Sequence, residues 1–176
     1  MTTKEILRVN LFPNARCVAS GAKPDATNAD FEAGAVSSGL TWFRFTIKNH
    51  EQAGSVYFHR LRTVPGETYV FRAKIHANAA VQALIFDTPS QNPLEDIDIE
   101  PMYSVYKEAR FTALSDQTSI RFSVPMIEDG YLMLAEPQLE LASTYDAAVS
   151  GGGGSGSSPG TPCRDRNGIR RAGDAR

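Results

Sequence analysis

The residue types that could do chemistry are few in this chain. Its one tryptophan, Trp42, precedes a run in which Phe43 and Phe45 alternate with polar residues. Alternate side chains of a β-strand point to opposite faces of a sheet, so Trp42 is expected on the polar face beside Arg44. There it could stack on a sugar ring or anchor a protein interface. A loop or the N-terminal segment could instead cover the ring, and the sequence leaves all three interpretations open.

Basic and further aromatic side chains are candidates for the same kind of contact. If the predicted strands that carry them are neighbours, six cations form a basic stripe that could dock on an acidic subunit. The alternative is a set of solvated charges paired with Asp and Glu. The stripe would contain Arg44, Arg60, Arg62, Arg72, Lys74 and Arg121. The candidate ligand or interface residues are Trp42, Arg44, Tyr57, His59, Arg72, Lys74, Tyr106 and Arg121.

Motifs for metal binding and catalysis are weak. The acidic run Leu94–Glu100 offers the oxygen ligands that calcium prefers, which makes Glu95, Asp96 and Asp98 weak calcium candidates. An edge strand whose charges discourage pairing with another chain is the alternative. The sequence contains no zinc pattern of two histidines, no P-loop and no G-x-S-x-G. We therefore expect no enzyme activity and no cofactor.

Short strands must position these residues. Five runs alternate apolar and polar residues, a pattern typical of antiparallel sheets with one solvated face. They lie at residues 7–11, 43–48, 69–76, 119–124 and 138–141. Residues 55–63 and 81–86 are further strands, and residues 102–114 form one that bends or bulges. No segment shows a sustained helical period. The sequence predicts an all-β fold, an antiparallel β-sandwich (jelly roll) of about eight or nine strands with a flexible C-terminal tail.

Composition divides the chain into three parts. Residues 1–149 contain the predicted strands, residues 150–160 have the Gly/Ser-rich composition of a flexible linker, and residues 161–176 form a basic extended tail. The net charge of −2 argues against a dedicated nucleic-acid binder. The tail is expected to contact an acidic partner, for example another copy of the chain. Its contact residues would be Arg164, Arg166, Arg170 and Arg171.

The two cysteines and the N-terminus add little. Cys17 and Cys163 are too few for a disulfide framework, and a small hydrophobic residue and an exposed thiol are the simplest interpretation. No stretch approaches the ~20 apolar residues of a membrane span. The start of the chain resembles no export signal, so synthesis in the cytoplasm is expected.

Three stretches, taken together, resemble a known family. They are N-L-F-P-N at residues 10–14, V-P-G-E-T-Y-V-F-R-A at residues 64–73, and G-Y-L at residues 130–132 running to P-Q-L-E-L at residues 137–141, which S-T-Y follows at 143–145. In this order they resemble the carbohydrate-binding-module-like jelly rolls of bacteriophage structural proteins, over nearly all of residues 6–147. The closing stretch is a shortened form of the family's. The resemblance implies a β-sandwich module of a virion protein, commonly a minor tail component, and does not by itself imply sugar binding.

These observations lead to three hypotheses of function. The first is a bacteriophage virion structural protein, a minor tail component, which assembles with other virion proteins and with copies of itself through its C-terminal arm. A capsid (head) decoration protein of the same fold is the second. The third is a glycan-binding module for host attachment, in which Trp42 and either Tyr57 or Tyr106 line an exposed groove. The expected location is the virion, after synthesis in the host cytoplasm, with neither nucleic acid nor membrane as a partner.

Overall fold

Ten β-strands and one α-helix form the part of the chain that the computed structural model describes, residues 8–101 and 104–151. The strands are β1 Asp25–Thr27, β2 Ala29–Ala35, β3 Thr41–Ile47, β4 Gly54–Arg62, β5 Thr68–Ala77, β6 Val81–Asp87, β7 Pro93–Ile99, β8 Val105–Thr112, β9 Gln117–Val124 and β10 Tyr131–Leu141, and the helix is α1 Ala142–Gly151. Two five-stranded sheets result, in the orders β1-β4-β9-β6-β7 and β2-β3-β10-β5-β8. All their pairings are antiparallel. The prediction of a jelly-roll β-sandwich is confirmed.

Aromatic side chains from the inner faces of both sheets join the two layers. Phe58 of the first sheet lies 6.5 Å, between ring centroids, from Phe43 of the second. Phe122 and Phe71 make a similar pair across the layers at 6.2 Å. Each of these rings is buried, and burial of a side chain of this size stabilises the fold by about 2–3 kcal/mol relative to its exposure. The period of two that was visible in sequence therefore separates core positions from outer positions.

β-Bulges interrupt strands of both sheets, and two of them lie in β4 and β10. The register shifts between Phe58 and Leu61 in β4, and between Ala135 and Gln138 in β10. Each of these two bulges contains a residue other than glycine with a positive φ, Arg60 at 56° and Glu136 at 51°. Such a backbone costs roughly 1–2 kcal/mol, and bulges re-aim side chains at the surface. The bulge in β10 matters below because Glu136 projects from it.

Several sequence expectations need correction. Residues 8–11 form no strand, and Val9 is 53% exposed. Instead, Asn10 fastens this segment to β10: its amide nitrogen donates to the Pro137 carbonyl at 3.0 Å, and its amide oxygen accepts from the Leu139 N–H at 2.9 Å. Strands β1 and β2 were not predicted, because Asp25–Ala35 is rich in small and acidic residues.

The helix also contradicts the expectation that none is present. Helix α1 follows β10 directly and packs against β5 and β10. Its run of alanines and small polar residues carries only a weak amphipathic pattern, which is why periodicity missed it. Polar contacts fix it to the outer side of the second sheet, since the two terminal guanidinium nitrogens of Arg110 donate to the Asp146 carboxylate, at 2.6 and 3.0 Å. The predicted strand at 102–114 is shorter than expected, with bounds at Val105 and Thr112.

Two further sequence predictions concern Cys17 and the C-terminal segment. Cys17 is fully buried, and burial raises the pKa of its thiol to about 12, so it packs as a small hydrophobic residue. Residues 152–176, with most of the predicted linker, Cys163 and the tail arginines, lie outside the described residues. Within those described, no helix has both the length and the apolar character of a membrane span.

Candidate ligand-binding face

One row of directly opposed residues crosses the outer face of the second sheet. We call it the Trp42 row, and it consists of Gly34, Trp42, Ala135, Lys74 and Tyr106, in strand order. Neighbouring strands lie roughly 4.8 Å apart, so the row spans roughly 20 Å. The small residue Ala135 stands between the large residues Trp42 and Lys74, and a depression therefore forms over it.

Trp42 owes its position to the glycine beside it. A Cβ atom on Gly34 would lie 2.3 Å from Cζ2 of the indole, so the six-membered ring occupies space that any other residue at position 34 would fill. The ring leans over β2 and away from β10, and it stays partly exposed. The ring is therefore partly covered and partly accessible, and all three interpretations of Trp42 remain predictions.

A cleft of about 170 Å³ lies above Ala135, between Trp42 and Lys74. Its lining residues are Val36, Leu40, Trp42, Lys74, His76, Ser104, Met133 and Ala135. An apolar surface with a few convergent polar groups is typical of small-molecule sites, although such sites usually measure ~300–1,000 Å³. This cleft, which we call the Trp42 cleft, therefore suits one ring-sized group of a larger ligand.

Tyr106 stands at the far end of the row and is 47% exposed. Its ring lies under the guanidinium of Arg72, whose Cζ is 3.9 Å from the ring centroid. Its hydroxyl donates a hydrogen bond to Oε2 of Glu136, and this bond raises the pKa of Tyr106 because the carboxylate favours the protonated phenol. These contacts fix the ring at the edge of the sheet.

Two further clefts lie on this side of the molecule, and the second of them adjoins the Trp42 cleft. One, of about 330 Å³, is lined by Asn10, Ala15, Arg72, Tyr106, Glu136, Pro137 and Gln138. The other, of about 410 Å³, is lined by Ala15, Arg16, Val18, Ser38, Gly39, Leu40, Thr41 and Glu136. Glu136 lines both, and Leu40 is shared with the Trp42 cleft. The side chain that projects from the β10 bulge thus separates neighbouring compartments of one face.

A second cluster borders the Trp42 cleft on β3, β5 and β10. The guanidinium carbon of Arg44 lies 4.5 Å from the ring centroid of Tyr131. The Tyr131 hydroxyl and His76 Nε2 are 3.3 Å apart. Met133 pairs in register with both Arg44 and His76, so these side chains continue the outer face beside the Trp42 row.

The remaining candidates lie on the opposite face of the molecule. Tyr57 and His59 stack on the outer side of β4 with their ring centroids 5.0 Å apart, and Arg121 pairs with Tyr57 from β9. Arg60 and Arg62 also belong to β4. The predicted single basic stripe is therefore wrong, because Arg44, Arg72 and Lys74 occupy the second sheet and the other three arginines occupy the first.

The calcium candidates follow an edge strand. Strand β7 is the last strand of the first sheet. Its alternation places Asp96 and Asp98 on the outer side, opposite Leu84 and Gln82, whereas Glu95 pairs with Ile85 of the inner side. The three carboxylates therefore do not converge, and residues 8–101 and 104–151 contain no group of three His, Cys, Asp or Glu side chains that could hold a metal ion.

Sequence reasoning missed Ala135, Met133, His76 and Glu136 as members of this face. One signal was available: the pair Glu136-Pro137 interrupts an alternating run, and proline within a strand indicates a bulge or an edge. The grouping itself depends on which strands are neighbours, which local sequence does not specify.

No protein-family model matches the chain, and no curated protein matches it in sequence. Solved structures do match its fold. The enzymatically active domain of tailspike protein 4 from bacteriophage CBA120 has a TM-score of 0.59 and 15% identity over 77% of this chain, and the chain spans only 21% of that protein's length. The N-terminal cellulose-binding domain of Cellulomonas fimi β-1,4-glucanase C has a TM-score of 0.56 and 14% identity, over 74% of this chain and 94% of that one.

A third match is the CBM22-1 xylan-binding domain of Paenibacillus barcinonensis Xyn10C. Its TM-score is 0.55 and its identity 8%, over 78% of this chain and 97% of that one. Identities this low establish the fold alone, because one fold supports many functions. The chain shares its jelly-roll fold with carbohydrate-binding modules and with a domain of a phage tailspike.

Proposed function

We propose that the chain is a glycan-binding module without catalytic activity, and that a sugar residue occupies the Trp42 cleft. The observation that carries this proposal is the arrangement of Trp42, Ala135 and Lys74, which places a partly exposed indole beside a depression and a cation beyond it. The fold shared with cellulose-binding and xylan-binding domains supports it.

Sugar rings present both apolar C–H surfaces and hydroxyl groups, and the cleft offers partners for each. The indole of Trp42 and the thioether of Met133 supply apolar contact. Lys74, His76 and Ser104 supply polar groups that can orient hydroxyls. The two further clefts on either side of Glu136 extend the face, so that neighbouring sugars of an oligosaccharide would also find contacts.

The chemistry of the cleft favours binding over hydrolysis. Glycoside hydrolysis commonly uses two carboxyl groups that flank the scissile bond. None of the residues that line the Trp42 cleft is acidic. Glu136, in the two further clefts, is a single carboxylate engaged by the Tyr106 hydroxyl. Each of these features supports a non-catalytic module.

The test compares the two faces of the sandwich. The purified chain is screened on a glycan array, and the affinity for the best ligand is measured by calorimetry for wild type, Trp42→Ala and Tyr57→Ala. A tryptophan at the centre of a contact contributes about 2 kcal/mol or more, so Trp42→Ala should weaken binding about 30-fold or more. Tyr57→Ala, on the opposite face, should leave the affinity unchanged. Equal affinities of all three proteins would contradict the assignment of the site to the Trp42 cleft. Binding to none of the glycans on the array would contradict the glycan-binding function.

A virion structural protein is the second candidate function. The three sequence motifs and the fold shared with a phage tailspike domain favour it. In this role the chain, as a minor tail or capsid decoration protein, would contact other virion proteins and copies of itself through the arm at residues 161–176. Light scattering of the chain with and without residues 152–176 tests it: a defined oligomer that becomes a monomer on truncation supports an assembly arm. Monomers in both cases would remove self-assembly through this arm.

A further inference from the structure

The cations on the outer face of the second sheet have partners, with one exception. Arg8 Nε donates to Glu140 Oε2 at 2.9 Å, and Arg110 binds Asp146. Arg44 and Arg72 lie over the rings of tyrosines in the same sheet. Arg8 and Arg110 are thus paired with carboxylates, whereas Arg44 and Arg72 contact aromatic rings, and Nε of Arg44 is buried without a hydrogen-bond partner among the described residues.

Lys74 is the exception. It is half-buried, and the residues opposite it on the neighbouring strands, Ala135 and Tyr106, are both uncharged. Among residues 8–101 and 104–151, no carboxylate oxygen lies within 4.0 Å of its Nζ atom. A half-buried ammonium without a counter-charge is poorly solvated, and an anion that enters the cleft would supply the missing partner.

The position of Lys74 in the cleft restricts where the anionic group of a ligand can bind. Lys74 and His76 are its ionisable lining residues. Trp42 and Lys74 are two strand spacings apart, roughly 10 Å, with only the small side chain of Ala135 between them. A pyranose ring packed against the indole would extend over Ala135 and bring a substituent on its far side to the Lys74 ammonium.

We propose, on the basis of the glycan-binding function above, that the sugar in the Trp42 cleft carries a carboxylate that pairs with Lys74. The ligand class is thus an acidic glycan, one that contains a uronic acid or another carboxylated sugar. General attraction does not account for this preference, because residues 1–150 contain 13 basic and 18 acidic residues. The acidic body repels polyanions at long range, so the preference depends on the local contact.

The experiment uses oligosaccharides in pairs that differ only in charge. Oligogalacturonides, glucuronoxylan oligosaccharides and sialyl-galactosides are each prepared as the free acid and as the methyl ester. Their affinities for the full chain are measured by calorimetry beside neutral oligosaccharides. A charged hydrogen bond is worth a factor of about 10–100 in affinity, and the free acid of at least one pair should exceed its ester by that factor.

Two lysine variants assign the effect. Lys74→Gln should abolish the preference for the free acid, so that the acid and the ester of each pair bind this variant with equal affinity. Lys107→Gln is the matched control, because Lys107 stands opposite the inner-face residue Ala73 at the edge of the same sheet, and it should keep the full preference. Circular dichroism of both variants verifies that each is folded.

The outcomes separate this inference from the function on which it rests. The chain could bind only neutral oligosaccharides, or bind acid and ester with equal affinity, while binding still depends on Trp42. Either result would overturn the proposal of an acidic ligand and would leave the glycan-binding function intact. A preference that survives Lys74→Gln would overturn the assignment to Lys74. Binding of no oligosaccharide by the folded chain would overturn both.

Discussion

The two outer faces of this sandwich have the same backbone arrangement, five antiparallel strands each, and differ in the size of their side chains. On the first sheet, register forms a row of Asp25, Tyr57, Arg121, Leu84 and Asp96. All five side chains are of medium or large size, whereas two of the five positions in the Trp42 row are glycine and alanine. A small residue beside an aromatic one creates a cleft on an otherwise level sheet. The floor of the candidate site therefore lies within the strands, and the loop residues Val36, Leu40 and Ser104 complete its lining.

Charge distinguishes the faces as well. The row on the first sheet ends in an aspartate on each side of Arg121, and His59 Nε2 lies 3.5 Å from Asp25 Oδ2. That row therefore contains acidic as well as basic side chains, although Arg121 itself stands between the uncharged residues Tyr57 and Leu84. On the second sheet, Lys74 stands between uncharged neighbours. The Trp42 row contains a cation and no acidic residue, whereas the row on the first sheet has an aspartate at each end, so the two rows differ in what they offer an anionic ligand.

Filling the gap should give the largest effect. Ala135→Leu would place a branched side chain in the Trp42 cleft, and we expect glycan affinity to fall more than about 30-fold, as for loss of a central contact. The side chain would extend outward, so the thermal midpoint should change little. Calorimetric titration and thermal denaturation measure the two quantities. Leu84→Ala, at the matching outer position of the first sheet, should lower stability by about 1–2 kcal/mol without a change in affinity. If Ala135→Leu binds normally, the ligand does not occupy this cleft.

Displacing the indole should have an intermediate effect. Gly34→Ala adds a methyl group where the ring of Trp42 now lies, so the ring must move toward β10 and narrow the cleft. We expect about 5–10-fold weaker binding, which corresponds to about 1 kcal/mol. In the double variant with Trp42→Ala, the glycine substitution should add nothing, because both changes act through one side chain. Additive losses would mean that Gly34 matters for another reason.

A smaller effect is expected at Tyr106. Glu136→Gln removes the carboxylate that raises the pKa of the phenol, so the pKa should return toward the ordinary value of about 10. In wild type the raised pKa stabilises the fold fully below the ordinary value, and this contribution disappears as pH rises through the folded-state pKa. NMR titration of selectively labelled tyrosine measures the change.

The smallest effect concerns the end of the second face where α1 docks. Hydrogen bonds from Arg110 lower the pKa of Asp146, so the pair stabilises the fold above the ordinary carboxyl value near 4, and its contribution declines as pH falls through the lower folded-state pKa. Asp146→Asn should make the wild-type loss of thermal stability in acid slightly shallower. Thermal denaturation between about pH 2 and 6 detects it. A profile identical to wild type would show that this surface pair has no net effect, as is common for exposed ion pairs.

The sequence predicted strands better than it predicted neighbours. Alternation assigned Phe43, Phe71 and Phe122 to the core, because a period of two is a local property of the chain. It failed for β1 and β2, whose small residues offer little contrast between faces, and for α1, whose alanines give a weak helical pattern.

The candidate site shows the same limit. Trp42, Lys74 and Tyr106 were each named from sequence, but so were Tyr57, His59 and Arg121, which lie on the opposite side of the sandwich. Their separation follows from the strand order, which pairs β3 with β10 and β10 with β5 over distances of tens of residues. Such long-range pairing is set by the packing of the whole core and is not encoded in any local pattern.

The alternation of side chains along β10, the central strand of the second sheet, has a consequence for how this face can evolve. Leu132 and Leu134 of β10 are fully buried, and Met133 and Ala135, which alternate with them along the strand, line the Trp42 cleft on the outer face. On the glycan-binding function proposed above, substitutions that change the ligand fall on side chains that point away from Leu132 and Leu134, although Ala135 is itself buried in the floor of the cleft. The preferred ligand could then diverge through Met133 or Lys74 at little cost in folding free energy, and such divergence would not require compensating mutations in the core.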